Sequence, residues 1–163
     1  MRRVRVLLVS ILLAVGVGVV QPPSASAAVW GACGVVTSTS KIVRTYGGVP
    51  GIRRVYLKCG GPKYSDEPSW GYRHVLRYHI HDFEAMSVGT YQNWRDVADL
   101  AMATTLADPT VRRPAVDGKR CFSRALKLYD LHTGRLVRTQ IFRVVFRTSD
   151  AAIITVYPSS RHC

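Results

Sequence analysis

Four cysteines set the tightest limit on how this chain can fold. Cys33, Cys59, Cys121 and Cys163 all lie downstream of a leader with the layout of a secretory signal. That leader, MRRVRVLLVSILLAVGVGVVQPPSASA, has a basic start (Arg2, Arg3, Arg5) and an apolar run from Val6 to Val20. It closes on the small residues Ser24-Ala25-Ser26-Ala27, and cleavage is expected near Ala27. The run is short for a spanning helix, which needs about 20 apolar residues, so residues 1–27 read as a signal peptide rather than an anchor. Export places the thiols in an oxidising compartment, where an even number of cysteines reads as two disulfides. Three pairings are open. The preferred one, Cys33–Cys59 with Cys121–Cys163, staples each end of the chain to its own neighbourhood. No C-x-x-C spacing is present, which argues against a zinc site built on thiolates.

Residues 28–163 amount to one domain with a modest core. No other stretch is apolar enough to span a bilayer, so a secreted protein without stable membrane insertion is expected, acting as a monomer. The formal charge is +13, and loss of the three leader arginines brings it to +10. So strong a positive field favours polyanionic partners: nucleic acid, acidic wall polymer or anionic lipid. It also keeps an exported protein in solution.

Three regions follow the leader. KIVRTY (41–46) and RRVYLKC (53–59) are rich in β-branched and aromatic residues, and GGVPG (47–51) separates them, which predicts a hairpin with a five-residue loop. Turn chemistry at Gly60-Gly61-Pro62 and from Ser65 to Pro68 closes an N-terminal hairpin extension, 28–67. Residues 69–108 read as two helices. Val75, Leu76, Ile80 and Phe83 make an apolar stripe on the first. Asn93 suits the N-cap of the second, with Asp96 at the third helical position, and Asp108-Pro109 ends it. Strands are expected over 122–129, 136–147 and 151–158, with turns at 130–134 and 148–150. The predicted fold class is α+β: two N-terminal helices packed on a small antiparallel β-meander over 68–163, preceded by a disulfide-stapled β-hairpin.

The first helix carries GYRHVLRYHIHDF (71–83), with three histidines in thirteen residues. On a helical wheel His74, Arg77, Tyr78 and His81 share one face, and Val75, Leu76, His79, Ile80 and Phe83 the opposite one. His79 then lies beside whatever the helix packs on, and His81 reads as a solvated surface residue. His74 reads equally as a surface group or as the edge of a cleft. His74 and His79 stand about 140° apart on the wheel, a poor bite for one ion, and H-x4-H-x-H is not the H-E-x-x-H of zinc peptidases. No metal and no other cofactor is therefore expected. There is no G-x-S-x-G elbow, and oxidised cysteines cannot pair with histidine as nucleophiles. What remains is acid–base chemistry. RNA brings its own nucleophile, the 2′-hydroxyl, and its cleavage needs a base, an acid and a cation. Two histidines with Arg73 or Arg77 supply those groups, and the basic surface attracts the substrate.

Gly71-Tyr72-Arg73-His74-Val75 with His79 matches the pattern G-x-x-H-[V/I]-x-x-x-H, and Thr155-Val156-Tyr157-Pro158 matches a closing T-x-Y-P strand. In this combination the chain resembles the toxin ribonucleases of the barnase–EndoU–colicin–RelE superfamily. It is also similar to the ribonuclease-A-like toxins of bacterial contact-dependent inhibition. The resemblance covers about residues 69–158. It implies a metal-independent endoribonuclease that acts on RNA and leaves a cyclic phosphate, with a cognate immunity or inhibitor protein as partner. Carried over residue by residue, it implies catalytic roles for His74, His79, Thr155 and Tyr157. Arg143 on the long strand, sharing a face with Val145 and Arg147, is the expected phosphate contact, beside Arg73 and Arg77. Gly89 stands where the ribonuclease-A-like group carries an arginine, and the nearest arginine is Arg95, so the catalytic cation is unassigned. The cysteines and the hairpin are additions to the family pattern. A free-standing secreted toxin fits better than a contact-delivered one.

Two other readings belong to different classes. A non-catalytic basic module binding an anionic polymer or lipid surface explains charge, export and disulfides equally well, but not the paired histidines. An inhibitor displaying the basic loop Pro109 to Gly118 (PTVRRPAVDG) is the third.

Overall fold

The computed structural model describes residues 30–31, 33–34, 37–62 and 67–163. The expected signal, residues 1–27, lies outside them. The first described elements are two antiparallel strands, β1 (Ile42–Val49) and β2 (Ile52–Lys58). Their turn is tighter than the sequence suggests: Val49 pairs with Ile52, leaving only Pro50 and Gly51 between the strands. The ladder runs on through Gly47 and Gly48 because the chains come very close there. A Cβ at Gly48 would stand 2.3 Å from the Arg53 carbonyl oxygen. Pro50 followed by Gly51 at φ +83° has the residue pattern of a type II turn.

Helix α1 (Gly71–Ser87) buries Tyr72, Val75 and Phe83. Leu76, expected on that stripe, is exposed, while Tyr72 is buried. Helix α2 (Trp94–Ala107) starts as its sequence indicates. Asn93 Oδ1 accepts from the N–H groups of Arg95 and Asp96, and the Asp96 carboxylate accepts from the Asn93 N–H. This reciprocal arrangement satisfies donors that the first helical turn leaves open.

Four strands follow: β3 (Val111–Arg112), β4 (Lys119–Tyr129), β5 (Leu136–Arg147) and β6 (Ile153–Ser159), antiparallel in the order β3-β4-β5-β6. The segment Pro109 to Gly118, read from sequence as an exposed loop, is partly drawn into this sheet, with Val111 opposite Ser123 and Arg112 opposite Phe122. The chain is thus α+β, with two helices, antiparallel sheets and two disulfides. Both helices follow the hairpin in the chain, and β6 forms the sheet edge along which α1 lies.

One core runs through both segments expected from the sequence. Phe83 of α1 stacks on Phe142 of β5 (ring centroids 6.0 Å apart), and Phe122 meets Phe146 edge-on at 5.2 Å. Val55 and Leu57 of the hairpin join the same cluster. A backbone bond from the Tyr56 N–H to the Ala151 carbonyl (2.9 Å) continues the hairpin towards β6. The hairpin is also tied to α2 through Asp99. Its carboxylate accepts from Arg44 Nε and Nη2 (both 3.0 Å), the Tyr46 hydroxyl (2.8 Å) and Trp30 Nε1 (3.3 Å). Burial, together with the neighbouring Asp99 charge, pushes the Tyr46 phenol well above its usual range, so it remains a donor.

The disulfides are Cys33–Cys59 and Cys121–Cys163, closing loops of 26 and 42 residues. For such loops the chain-entropy account gives about 3–4 kcal/mol each, by restricting the unfolded chain.

Asp99→Ala would leave a buried hydroxyl, an indole N–H and a guanidinium without their acceptor. The expected loss is about 2–4 kcal/mol. In urea titration it should appear as a lower midpoint with an unchanged slope.

Candidate active site at the seam of helix α1 and strand β6

The position of α1 is set at its first residue. Gly71 has φ +80°, and a Cβ there would come within 2.7 Å of both the Gly60 Cα and the Lys58 carbonyl oxygen. Only glycine allows the helix to begin against that turn. The Arg73 N–H then donates to the Cys59 carbonyl (3.1 Å). The Arg73 guanidinium donates to the carbonyls of Gly60, Gly34 and Thr37, the last two at 2.8 Å. Arg73, expected from sequence to hold phosphate, has both terminal nitrogens engaged in anchoring the helix to the segment stapled by Cys33–Cys59.

One residue on, His74 Nδ1 lies 2.8 Å from the Pro68 carbonyl oxygen. A carbonyl only accepts, so Nδ1 carries the hydrogen and Nε2 keeps its lone pair. Burial lowers the pKa of His74 below the ordinary 6.5; the Pro68 bond opposes this in part, and the nearby His79 lowers it further. The neutral ring is thereby favoured.

The His79 ring lies 5.5 Å from that of His74, at 63° to it. The two converge despite their wheel positions because helix side chains lean towards the N-terminus, which brings His79 back over the preceding turn. The side chain of His79 is 20% exposed, and its Nδ1 donates to Asp82 Oδ2 at 2.9 Å. Its ring stacks on Tyr157 of β6, with centroids 5.2 Å apart and planes 18° from parallel. Tyr78 closes the other side, 4.9 Å from the His74 ring. His81 is 92% exposed and paired with Glu84, and so sits on the solvated face, as does Arg77.

On β6, Tyr157 stands opposite Arg143 and Thr155 opposite Val145, so Thr155 and Tyr157 share a face of the sheet. The Thr155 hydroxyl is buried and makes no hydrogen bond among the described residues. Arg143 is turned to another task. Its Nε donates to the Arg161 carbonyl (2.8 Å) and its Nη2 to that of His162. These bonds hold the C-terminal stretch over the sheet, where Cys163 is bonded to Cys121 and donates its N–H to the Ser123 hydroxyl (3.1 Å).

His74, His79 and Tyr157 therefore meet in one cluster, with Thr155 two residues back on the same strand face. Arg73 and Arg143 hold backbone carbonyls instead. Two members of the cluster were not singled out from the sequence. Asp82 was visible as the i+3 partner of His79, a spacing that makes neighbours on a helix. Tyr78 was assigned only to the outer face. Among the described residues no three His, Cys, Asp or Glu side chains converge as a metal ion requires, and no helix is long and apolar enough to cross a membrane. Comparison with known protein families, characterised proteins and solved structures finds no match.

Gly71→Ala should test the anchor. It forces a side chain into positive φ and against two backbone groups, at an expected cost of about 1–3 kcal/mol from the backbone conformation alone. The drop should be read by denaturant titration.

Proposed function

We propose that this chain is a secreted, toxin-like endoribonuclease that works without a metal and leaves 2′,3′-cyclic phosphate ends. The observation that carries the reading is the pair of imidazoles 5.5 Å apart, His79 being stacked on Tyr157 where helix meets sheet edge. The two disulfides agree with an oxidising destination, and the charge, +13 for the whole chain and +10 without the three leader arginines, with a polyanionic substrate.

The tautomers divide the work. His74 presents an unprotonated Nε2, because Pro68 holds its Nδ1–H and its lowered pKa keeps it neutral. It is the base that takes the 2′-hydroxyl proton. The oxygen so freed attacks phosphorus, and the O2′–P bond forms as the P–O5′ bond breaks. His79 delivers a proton from Nε2 to the departing O5′. Asp82 holds the other ring nitrogen, fixing the ring's orientation and supplying a counter-charge while the ring is cationic. The imidazolium also lies beside the charge that develops on the phosphoryl oxygens. The Tyr157 phenol is the hydroxyl donor on the sheet side, with the buried Thr155 hydroxyl two residues back on the same face.

The test is total RNA incubated with the oxidised protein in EDTA. Cleavage with cyclic-phosphate ends is expected, and His74→Ala or His79→Ala should each lower kcat by about 10²–10⁴-fold. Intact RNA from folded wild-type protein would move the reading to a non-catalytic basic module that binds an anionic polymer or lipid surface.

The pH profile gives a second check. A base with a depressed pKa stays unprotonated further into acid, so the acidic limb of kcat/KM should fall below the ordinary histidine value of 6.5. A limb above that value would remove His74 as the base.

A further inference from the structure

We propose that Tyr78 is the platform on which a nucleobase next to the scissile phosphate stacks, and that the substrate is therefore unpaired RNA. This rests on the ribonuclease reading and adds the form of RNA that the site accepts. Each large aromatic ring on α1 except Tyr78 is covered: Tyr72 and Phe83 are buried. Tyr78 stays 47% exposed. Its ring is set at 48° to that of His74, with centroids 4.9 Å apart, so it borders the catalytic pair without lying flat on it. The other tyrosine of the cluster, Tyr157, already has a face stacked on His79.

The chemistry follows from that placement. A nucleotide whose ribose presents its 2′-hydroxyl to His74 Nε2 carries its base next to the same imidazole, within reach of Tyr78, whose ring lies 4.9 Å from that of His74. Base–aromatic stacking accepts any base, because every base has a π-face. It also requires the base to have left its own helical stack, which single strands, loops and bulges allow and a duplex does not. The exposed ring thus selects by strandedness rather than by sequence. Two of the arginines expected from the sequence to hold phosphate, Arg73 and Arg143, are engaged by backbone carbonyls.

The experiment compares the full-length oxidised protein with its Tyr78→Ala and Tyr78→Phe variants, each checked for an unchanged melting temperature. Two readouts are taken: kcat and KM on an unstructured oligoribonucleotide and on its duplex, and the anisotropy-measured affinity for a 2′-deoxy oligonucleotide, which cannot be cleaved. Tyr78→Ala should weaken deoxy-oligonucleotide binding and lower kcat/KM on the single strand by roughly tenfold or more, the scale of losing one stacked base. Tyr78→Phe should keep both, since the ring and not the hydroxyl does the stacking. The duplex should be a poor substrate for the wild type. Wild-type cleavage with an indifferent Tyr78→Ala, or equal rates on duplex and single strand, would overturn the platform while leaving the ribonuclease standing. A folded wild type that cleaves nothing would overturn both.

Discussion

The close approach of two glycine backbones decides where the rest of this molecule can go. Gly60 and Gly71 lie so near each other that neither tolerates a Cβ: one at Gly60 would fall 2.0 Å from the Trp70 carbonyl oxygen. Around that contact, Cys59 is held by its disulfide and accepts from the Arg73 N–H, while the Arg73 side chain ties Gly60 to Gly34 and Thr37. The start of α1 is thereby located in all directions. His74, one residue beyond Arg73, inherits that position, and so does the angle at which α1 reaches β6. The N-terminal hairpin accordingly helps to set the position of the histidine cluster.

A basic sequence suggests a surface of free cations, yet several of the arginines work inside the fold. Arg44 is held by Asp99 and Arg143 by the C-terminal carbonyls. Arg147 lies over the Trp70 ring at 4.1 Å and forms two hydrogen bonds with Asp150. Burial works against ionisation of Asp150, but Arg147 and Lys58 outweigh it and hold its carboxyl below the usual range. A guanidinium, with five donors in a rigid fork, can satisfy several carbonyls at once, which suits a small fold with long irregular stretches. Several of the arginine charges are thus engaged within the fold.

Local signals were read well from the chain alone. The Asn93–Asp96 cap, the paired strands around 130–134 and the stripe through Val75 and Phe83 depend on neighbours within a few residues, and the sequence records such neighbours directly. The same holds for the histidine tract as a helix, and for Thr155 and Tyr157 on one strand face. The preferred cysteine pairing matched as well.

What the sequence by itself determined is the set of elements and the chemical groups they carry: an α+β chain, two disulfides, and paired histidines on one helix. What only the tertiary structure decided is which of those groups are available and to whom. Arg73 and Arg143 look like phosphate ligands in one dimension, and carbonyls far away in the chain claim them in three. His79 and Tyr157 lie far apart in the chain, and the packing of α1 on β6 stacks their rings, whereas Asp82 and Tyr78 reach the imidazoles as near neighbours on the same helix. The physical reason is range. Helix caps and strand alternation are set by contacts a few residues apart, whereas a hydrogen-bond partner or a stacked ring is set by where the chain returns, and that is fixed by the whole core together.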